Sequence, residues 1–132
     1  MTTTTFKLEY LTNVGFAADF GGRGFQLPTS MAIRSDGTIF VADGHGGGGN
    51  NRIVKLSSEG VYIKEWGATG GEDGEFRDPH GMAIDSQGRL FVADRRNRRI
   101  QIFDQDGTHL DSWYQFGAPS GIFIDGEDIL YA

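Results

Sequence analysis

The chain has 132 residues, a formal net charge of −6 and no cysteine. This length suits one ordinary domain, the acidic balance argues against nucleic acid as a partner, and the lack of cysteine excludes disulfides and cysteine-based metal sites. No stretch is apolar and long enough to span a membrane and no signal-peptide pattern is visible, so no membrane association is expected and a cytoplasmic location is slightly favoured.

Residues 6–21 alternate loosely between apolar and polar side chains around a turn near residues 13–15, which predicts a β-hairpin. From Pro28 the sequence predicts a complete unit of four short strands. A glycine-rich loop over residues 43–51 separates the second strand from the third, and a polar loop over residues 68–78 ends the unit. The four strands are predicted over residues 30–33, 38–42, 52–56 and 61–66.

A second unit of the same text begins at Pro79, and a third begins at Pro119 and contains two strands. The three prolines lie 51 and 40 residues apart, and four strands in such a period are typical of a β-propeller blade. No segment has a helical period. We therefore predict an all-β chain with two complete blades, over residues 28–67 and 79–117. Residues 119–132 are predicted to be the inner half of a split blade, and the hairpin over residues 6–21 is predicted to be the outer half of a split blade. The strands of the second blade are predicted over residues 81–84, 89–93, 99–103 and 109–113.

Two tracts recur with little change and carry a resemblance to a known family. They are Val41-Ala42-Asp43 with Asn51-Arg52-Ile53-Val54, and Val92-Ala93-Asp94 with Asn97-Arg98-Arg99-Ile100. These tracts resemble the NHL-repeat family of six-bladed β-propellers. Trp66-Gly67, Asp78-Pro79-His80 and Ala93-Asp94-Arg95 further resemble its peptidyl-α-hydroxyglycine α-amidating lyase type and the bacterial relatives of that type.

The resemblance implies six blades, whereas the chain holds about three, which is half a ring. A half ring would leave sheet edges open. Two copies could close it as a two-fold symmetric homodimer, with the hairpin of each chain completing the split blade of the other. A segment of a longer propeller is the alternative.

His80 is the candidate metal ligand, because in the lyase type the histidine of this Pro-His pair resembles one of three zinc ligands. The equivalent positions of the other units are Thr29 and Ser120, so one of the three expected zinc histidines is present. The alternative is a hydrogen-bonding histidine in the propeller channel.

Arg95 and His45 are the candidate catalytic residues, and both follow the second strand of a blade. Arg95 stands where the lyase type carries a substrate-binding arginine, and its planar guanidinium suits a carboxylate or carbonyl; a solvated basic corner is the alternative. His45 stands near the position of that type's catalytic tyrosine and could accept a proton; a mobile surface histidine is the alternative. Because first strands begin where second strands end, we expect both residues and His80 at one mouth of the channel.

Two functions follow from this interpretation. The first is an NHL-type scaffold that binds a small molecule, a peptide or a protein at the channel mouth, and the second is a lyase-like zinc enzyme that cleaves an N–C bond. Asp43 and Asp94 recur at the ends of second strands, which predicts a structural role: accepting backbone hydrogen bonds or pairing with Arg52 and Arg99.

Overall fold

The computed structural model describes residues 24–132, so the predicted hairpin over residues 6–21 lies outside the described residues. Within residues 24–132, ten strands form three antiparallel sheets, and the prediction of an all-β fold of four-stranded blades is confirmed. No helix in the described part of the chain is long and apolar enough to cross a membrane. Closure of a ring by two copies stays a prediction.

The first sheet has the strand order β1-β2-β3-β4 and the second has the order β5-β6-β7-β8, while β9 and β10 form a two-stranded sheet. Strand β5 contacts β1 on one side and β9 on the other, so the first strands of the three sheets succeed one another. This is how the inner strands of propeller blades are arranged. The strands are β1 (Pro28–Ile33), β2 (Ile39–His45), β3 (Gly48–Leu56), β4 (Tyr62–Trp66), β5 (Pro79–Ile84), β6 (Leu90–Asp94), β7 (Arg99–Phe103), β8 (His109–Trp113), β9 (Phe123–Ile124) and β10 (Leu130–Tyr131).

The predicted loop over residues 43–51 is wrong in its extent, because β2 and β3 continue into it. His45 pairs with Gly48 across a two-residue turn, and Gly46 and Gly47 have φ angles of 64° and 86°. Two successive positive φ angles are the requirement of a tight type I′ hairpin turn, which glycine meets without strain. The glycine run therefore builds a defined hairpin end and holds His45 on a strand.

The largest core cluster lies between the first two sheets. It consists of Phe40, Ala42, Ile53, Phe76, Met82, Leu90, Val92 and Phe103. Phe76 comes from the loop that the sequence presents as polar, yet its ring is fully buried. Alternating apolar side chains of short strands bury too little alone, so packing of one sheet on the next stabilises each blade.

Asp43 and Asp94 make the predicted structural contacts. One oxygen of Asp43 accepts hydrogen bonds from the backbone N–H groups of Gln26 and Leu27, both at 3.0 Å, and the other accepts one from Arg52 Nε at 3.0 Å. Asp94 repeats this geometry in the second sheet. Each aspartate joins the end of a second strand, the start of a third strand and the preceding loop, so the blade corners are fixed by buried polar networks.

The turns between strands use a further recurring aspartate. Asp36, Asp85, Asp104 and Asp125 each accept a hydrogen bond from the backbone N–H two residues on, at 2.8–3.1 Å. Such a bond replaces part of the missing ladder at a tight turn. A backbone hydrogen bond from the residue four positions on, Thr108 or Ile129, is the main reason that the pKa of the Asp104 and Asp125 carboxyls lies below the ordinary value, and the bond from two positions on adds to it.

Candidate functional site

The structure brings the three sequence-predicted site residues to one edge of the blades, where His45 and Arg95 lie against a fourth residue, Asp78. His45 ends β2, His80 lies in β5, and Arg95 begins a short 3₁₀ turn over Arg95–Asn97 that follows β6. The ring centroids of His45 and His80 are 5.4 Å apart. Both His45 and Arg95 approach the side chain of Asp78. Residues from both blades thus meet at the edge where first strands begin and second strands end.

A cavity of about 350 Å³ opens beside the two histidines, and we call it the rim cavity. Leu27 and Pro28 supply an apolar wall, while the imidazoles supply a polar one. Its lining residues are Gln26, Leu27, Pro28, Thr29, His45 and His80. A concave site with an apolar wall and a few converging polar groups is the usual form of a small-ligand site.

His80 is oriented by the third sheet. Its Nδ1 lies 3.1 Å from the carbonyl oxygen of Ser120. A carbonyl oxygen only accepts hydrogen bonds, so Nδ1 carries a proton, and in the neutral ring Nε2 then carries the lone pair. The neighbouring Thr29 hydroxyl donates to the carbonyl oxygen of Pro79 at 2.6 Å, which joins the first blade to the second beside the same ring.

Asp78 is the buried centre of the cluster, with a side chain only 1% exposed. Its Oδ1 accepts hydrogen bonds from His45 Nδ1 at 3.1 Å and from the backbone N–H of Gly46 at 3.3 Å. Its Oδ2 is buried without a hydrogen bond and lies 3.6 Å from Arg95 Nη1 and 3.8 Å from Arg96 Nε. The carboxylate therefore faces a histidine on one side and two guanidinium groups on the other.

The backbone of Asp78 is held in an unusual conformation. Its φ is 66°, which is left-handed and tolerated best by glycine, asparagine and aspartate. Its N–H donates to Asn51 Oδ1 at 3.2 Å, and its carbonyl accepts from the N–H of Arg95 at 3.2 Å. Hydrogen bonds to both blades thus hold Asp78 in this conformation, as is common for strained backbone at functional sites.

Charge at this edge favours an anionic ligand. The side chains of Arg95 and Arg96 are 44% and 54% exposed, whereas the one carboxylate between them is buried. Neither guanidinium makes a hydrogen bond of ordinary length to Asp78, so both keep donors for a ligand. The planar guanidinium fork matches a carboxylate in particular.

The described residues do not fit a three-ligand zinc site. Within residues 24–132 no group of three histidine, cysteine, aspartate or glutamate side chains could hold a metal ion. His80 and His45 each have one nitrogen already hydrogen-bonded, and Asp78 bonds to His45 itself. Zinc at His80 stays a prediction from the resemblance, and no chemical step is derived through it.

Sequence reasoning missed Asp78 and Arg96, although a signal for Asp78 existed. The residue before the marking proline is Leu27 in the first unit and Ala118 in the third, but Asp78 in the second. A charged residue at a repeat position that is otherwise apolar points to a role specific to one blade. Arg96 had no such signal, because it stands in a run of four arginines over residues 95–99.

Comparisons with known proteins place this geometry in context. A family model for the NHL repeat matches residues 76–103. Human NHL repeat-containing protein 3 is 41% identical over 90 residues, covering 67% of this chain and 26% of that protein. A probable peptidyl-alpha-hydroxyglycine alpha-amidating lyase of Caenorhabditis elegans is 35% identical over 98 residues, covering 72% of this chain and 27% of that protein. This chain thus spans about a quarter of the length of either relative.

Among solved structures, that of a streptogramin B lyase superposes with a TM-score of 0.61. The two sequences are 22% identical, and the superposed region covers 78% of this chain and 32% of the lyase chain. This likeness concerns the fold alone. The NHL match ends at the last residue of β7, and it includes Asp78, His80 and Arg95.

Proposed function

Because the chain carries an NHL repeat and folds into β-propeller blades, we propose that it is a binding scaffold that takes a carboxylate-bearing small molecule or peptide C terminus in the rim cavity. The observation that carries the proposal is that one imidazole and two exposed guanidiniums converge on one buried carboxylate, while a second imidazole lies 5.4 Å from the first beside the rim cavity. Within residues 24–132, the two exposed guanidiniums add no hydrogen bond of ordinary length to the contacts that join the blades. Ligand recognition accounts for this arrangement.

The groups that line the rim cavity and the two arginines beside Asp78 would each contribute a distinct interaction. Arg95 and Arg96 would donate to the ligand carboxylate, and charge-assisted bonds of this kind contribute about 1.5–3 kcal/mol each. Leu27 and Pro28 would contact an apolar side chain of the ligand. The acceptor nitrogen of His80 would meet a hydroxyl or N–H donor. A short peptide that ends in a free carboxylate offers all three groups at once.

The test uses N-acetyl-Phe-Gly and its C-terminal amide as a matched pair of ligands, measured by calorimetric titration of the full chain. We expect the acid to bind and the amide to bind at least tenfold more weakly, since the amide removes the charge. Arg95→Gln should remove that preference. Arg98→Gln is the control, because it deletes the same charge from the same corner. Equal weakening in both variants would refute a specific carboxylate site, and so would equal binding of acid and amide.

A lyase-like enzyme is the second candidate function. Two observations favour it: the similarity to the probable lyase of Caenorhabditis elegans and the position of His80 in the Pro79-His80 pair. In that reaction the hydroxyl of a peptidyl-α-hydroxyglycine gives up its proton as its C–O bond becomes a C=O bond and the N–C bond breaks; the departing amide nitrogen takes up a proton, so that a peptide amide and glyoxylate form. The assay is glyoxylate release from such a substrate, with and without added zinc. Release that is lost in His80→Ala would support the enzyme, and binding without release would support the scaffold.

A further inference from the structure

Asp78 has a role that the ligand groups named so far do not explain, since its side chain is buried and cannot touch a ligand in the rim cavity. We propose that Asp78 and His45 form a carboxylate–imidazole dyad that positions His45 Nε2 to accept a hydrogen bond from a hydroxyl or amide N–H of the bound ligand. The inference rests on the proposed function, in that it adds a second recognition element beside Arg95. Asp78 is the positioning residue of the dyad, and His45 is its contact residue.

The hydrogen-bond pattern assigns the tautomer of His45. Asp78 Oδ1 lies 3.1 Å from His45 Nδ1 and also accepts the N–H of Gly46. An ionised carboxylate only accepts, so Nδ1 carries a proton, and in the neutral ring Nε2 then carries the lone pair. The His45 side chain is 49% exposed and lines the rim cavity, so this acceptor nitrogen is on a ring that a ligand can reach.

Both partners of the dyad are held before any ligand binds. Asp78 is fixed through its backbone by Asn51 and by the N–H of Arg95. His45 is fixed by its strand pairing with Gly48 across the tight glycine turn. A contact group is effective when its rotamer is locked by supporting interactions, and here the support comes from two different blades.

Among residues 24–132, the charged and titratable groups that face the dyad are His80, Arg95 and Arg96. His80 faces His45 from β5, and Arg95 and Arg96 face Asp78 Oδ2 from the 3₁₀ turn at 3.6 and 3.8 Å. The two guanidiniums lie beside Oδ2, the oxygen that His45 does not contact, so they leave the bond between Oδ1 and His45 in place. The site therefore combines positive donors for an anion with a neutral acceptor for a donor group. The ligand class that fits is an acid with a hydroxyl or amide N–H close to its carboxylate, such as an N-acyl amino acid.

The first experiment reads the tautomer directly, by long-range ¹H–¹⁵N NMR of the full chain near neutral pH. We expect His45 in the Nδ1–H form, and His80 in the same form through Ser120 as an internal reference. Asp78→Asn keeps a residue that tolerates positive φ but removes the charge, so His45 should shift toward a mixture of tautomers while His80 stays unchanged. Asp73→Asn, an exposed aspartate near His109, should leave His45 unaffected.

Observation of the Nε2–H form of His45 in the unmodified chain would overturn the dyad, whether or not any variant folds. An unchanged His45 spectrum in folded Asp78→Asn would overturn the positioning role. Neither result depends on a ligand, so the dyad and the proposed function can fail separately.

The second experiment tests the ligand contact with N-acetyl-Phe-Gly and its analogue N-methylated at the glycine nitrogen, which lacks that N–H donor. The intact chain should bind the first at least fivefold more tightly. His45→Phe keeps a ring of similar size and should lose this discrimination. If the analogue binds equally well to the intact chain, or if His45→Phe discriminates as before, the proposed contact is wrong even though carboxylate binding stands. If neither acid binds, the carboxylate site and this contact fail together, and the tautomer measurement decides the dyad.

Discussion

Replacement of Asp94 by asparagine tests whether the buried corner networks stabilise the blades. Oδ1 of Asp94 accepts the N–H of Arg77 at 2.8 Å. Oδ2 accepts Asn97 Nδ2 at 2.8 Å, Arg99 Nε at 2.9 Å and Gln101 Nε2 at 3.2 Å. Asparagine has one acceptor oxygen and one donor NH₂ group. Either orientation of its amide therefore sets a donor against at least one donor.

The magnitude follows from burial. Asp94 and the Arg99 side chain are 0% and 3% exposed, so Asp94→Asn leaves a guanidinium buried beside a neutral group. Removal of one partner from a buried ion pair costs about 3–5 kcal/mol, against about 5–15 kcal/mol for the whole stability of a domain. Burial raises the pKa of Asp94 even though the hydrogen bonds from Arg77, Asn97 and Arg99 lower it. The charged pair is thus held against a large desolvation cost, and loss of either member is severe.

The assay is urea unfolding followed by the fluorescence of Trp66 in the first sheet and Trp113 in the second. At a typical slope of about 1–3 kcal/mol per molar urea, the midpoint should fall by more than about 1 M. Asp36→Asn is the control, because its ion pair with Arg34 is on the surface and should matter little. A loss in Asp94→Asn no larger than that of the control would refute the reasoning. Arg99→Met and the double variant complete a cycle, in which the two changes should couple by about 0.5–3 kcal/mol.

Three further predictions concern backbone space and charge. Gly81→Ala should cost about 1–3 kcal/mol in urea unfolding, because its Cβ would lie 2.6 Å from a backbone oxygen of the third unit, whereas Gly121→Ala meets open space and should be nearly neutral. Gly47→Ala and Gly46→Ala should both destabilise the fold by about 1–2 kcal/mol, because each places a side chain on a left-handed backbone. Only the Cβ at Gly47 would meet the Arg96 guanidinium, at 2.6 Å, so only Gly47→Ala should also weaken binding of N-acetyl-Phe-Gly. Equal affinities of the two variants for this ligand would contradict the prediction. Backbone hydrogen bonds, that from Thr108 above all, lower the pKa of Asp104, so its contribution to the free energy of unfolding is present above about pH 4 and is lost as the pH falls through the lowered pKa. In Asp104→Asn the free energy of unfolding should therefore fall less steeply as the pH is lowered below about 4. An unchanged pH dependence would contradict this role of Asp104.

Most of the fold could be predicted because the sequence repeats the same pattern of strands and turns. The strand pairs on either side of Asp43 and Asp94 recur in sequence, and recurrence identifies a blade without any tertiary information. The ends of β2 and β3 could not be predicted, since four successive glycines read as a loop by composition. Only the pairing of His45 with Gly48 shows them to be a hairpin.

The sequence was enough to predict three residues of the candidate site, but not the buried Asp78 on which the site is built. The rule that first strands begin where second strands end was enough to expect His45, His80 and Arg95 at one edge. It contained nothing about Asp78, because the role of that residue comes from contacts with residues of the first blade, Asn51 and His45, that lie 27 and 33 positions away in sequence.

The sequence by itself therefore determined the all-β class, the blade period and the side chains available at the channel edge, because these depend on local alternation and on spacing along the chain. Tertiary structure alone decided that a buried carboxylate joins a histidine to two arginines. That arrangement depends on the packing of one sheet against the next, which sets distances between residues remote in sequence and removes Asp78 from water. The burial of Asp78 and its contacts with His45, Arg95 and Arg96 fix how these side chains can interact with a ligand, and the order of the residues in the chain does not specify this.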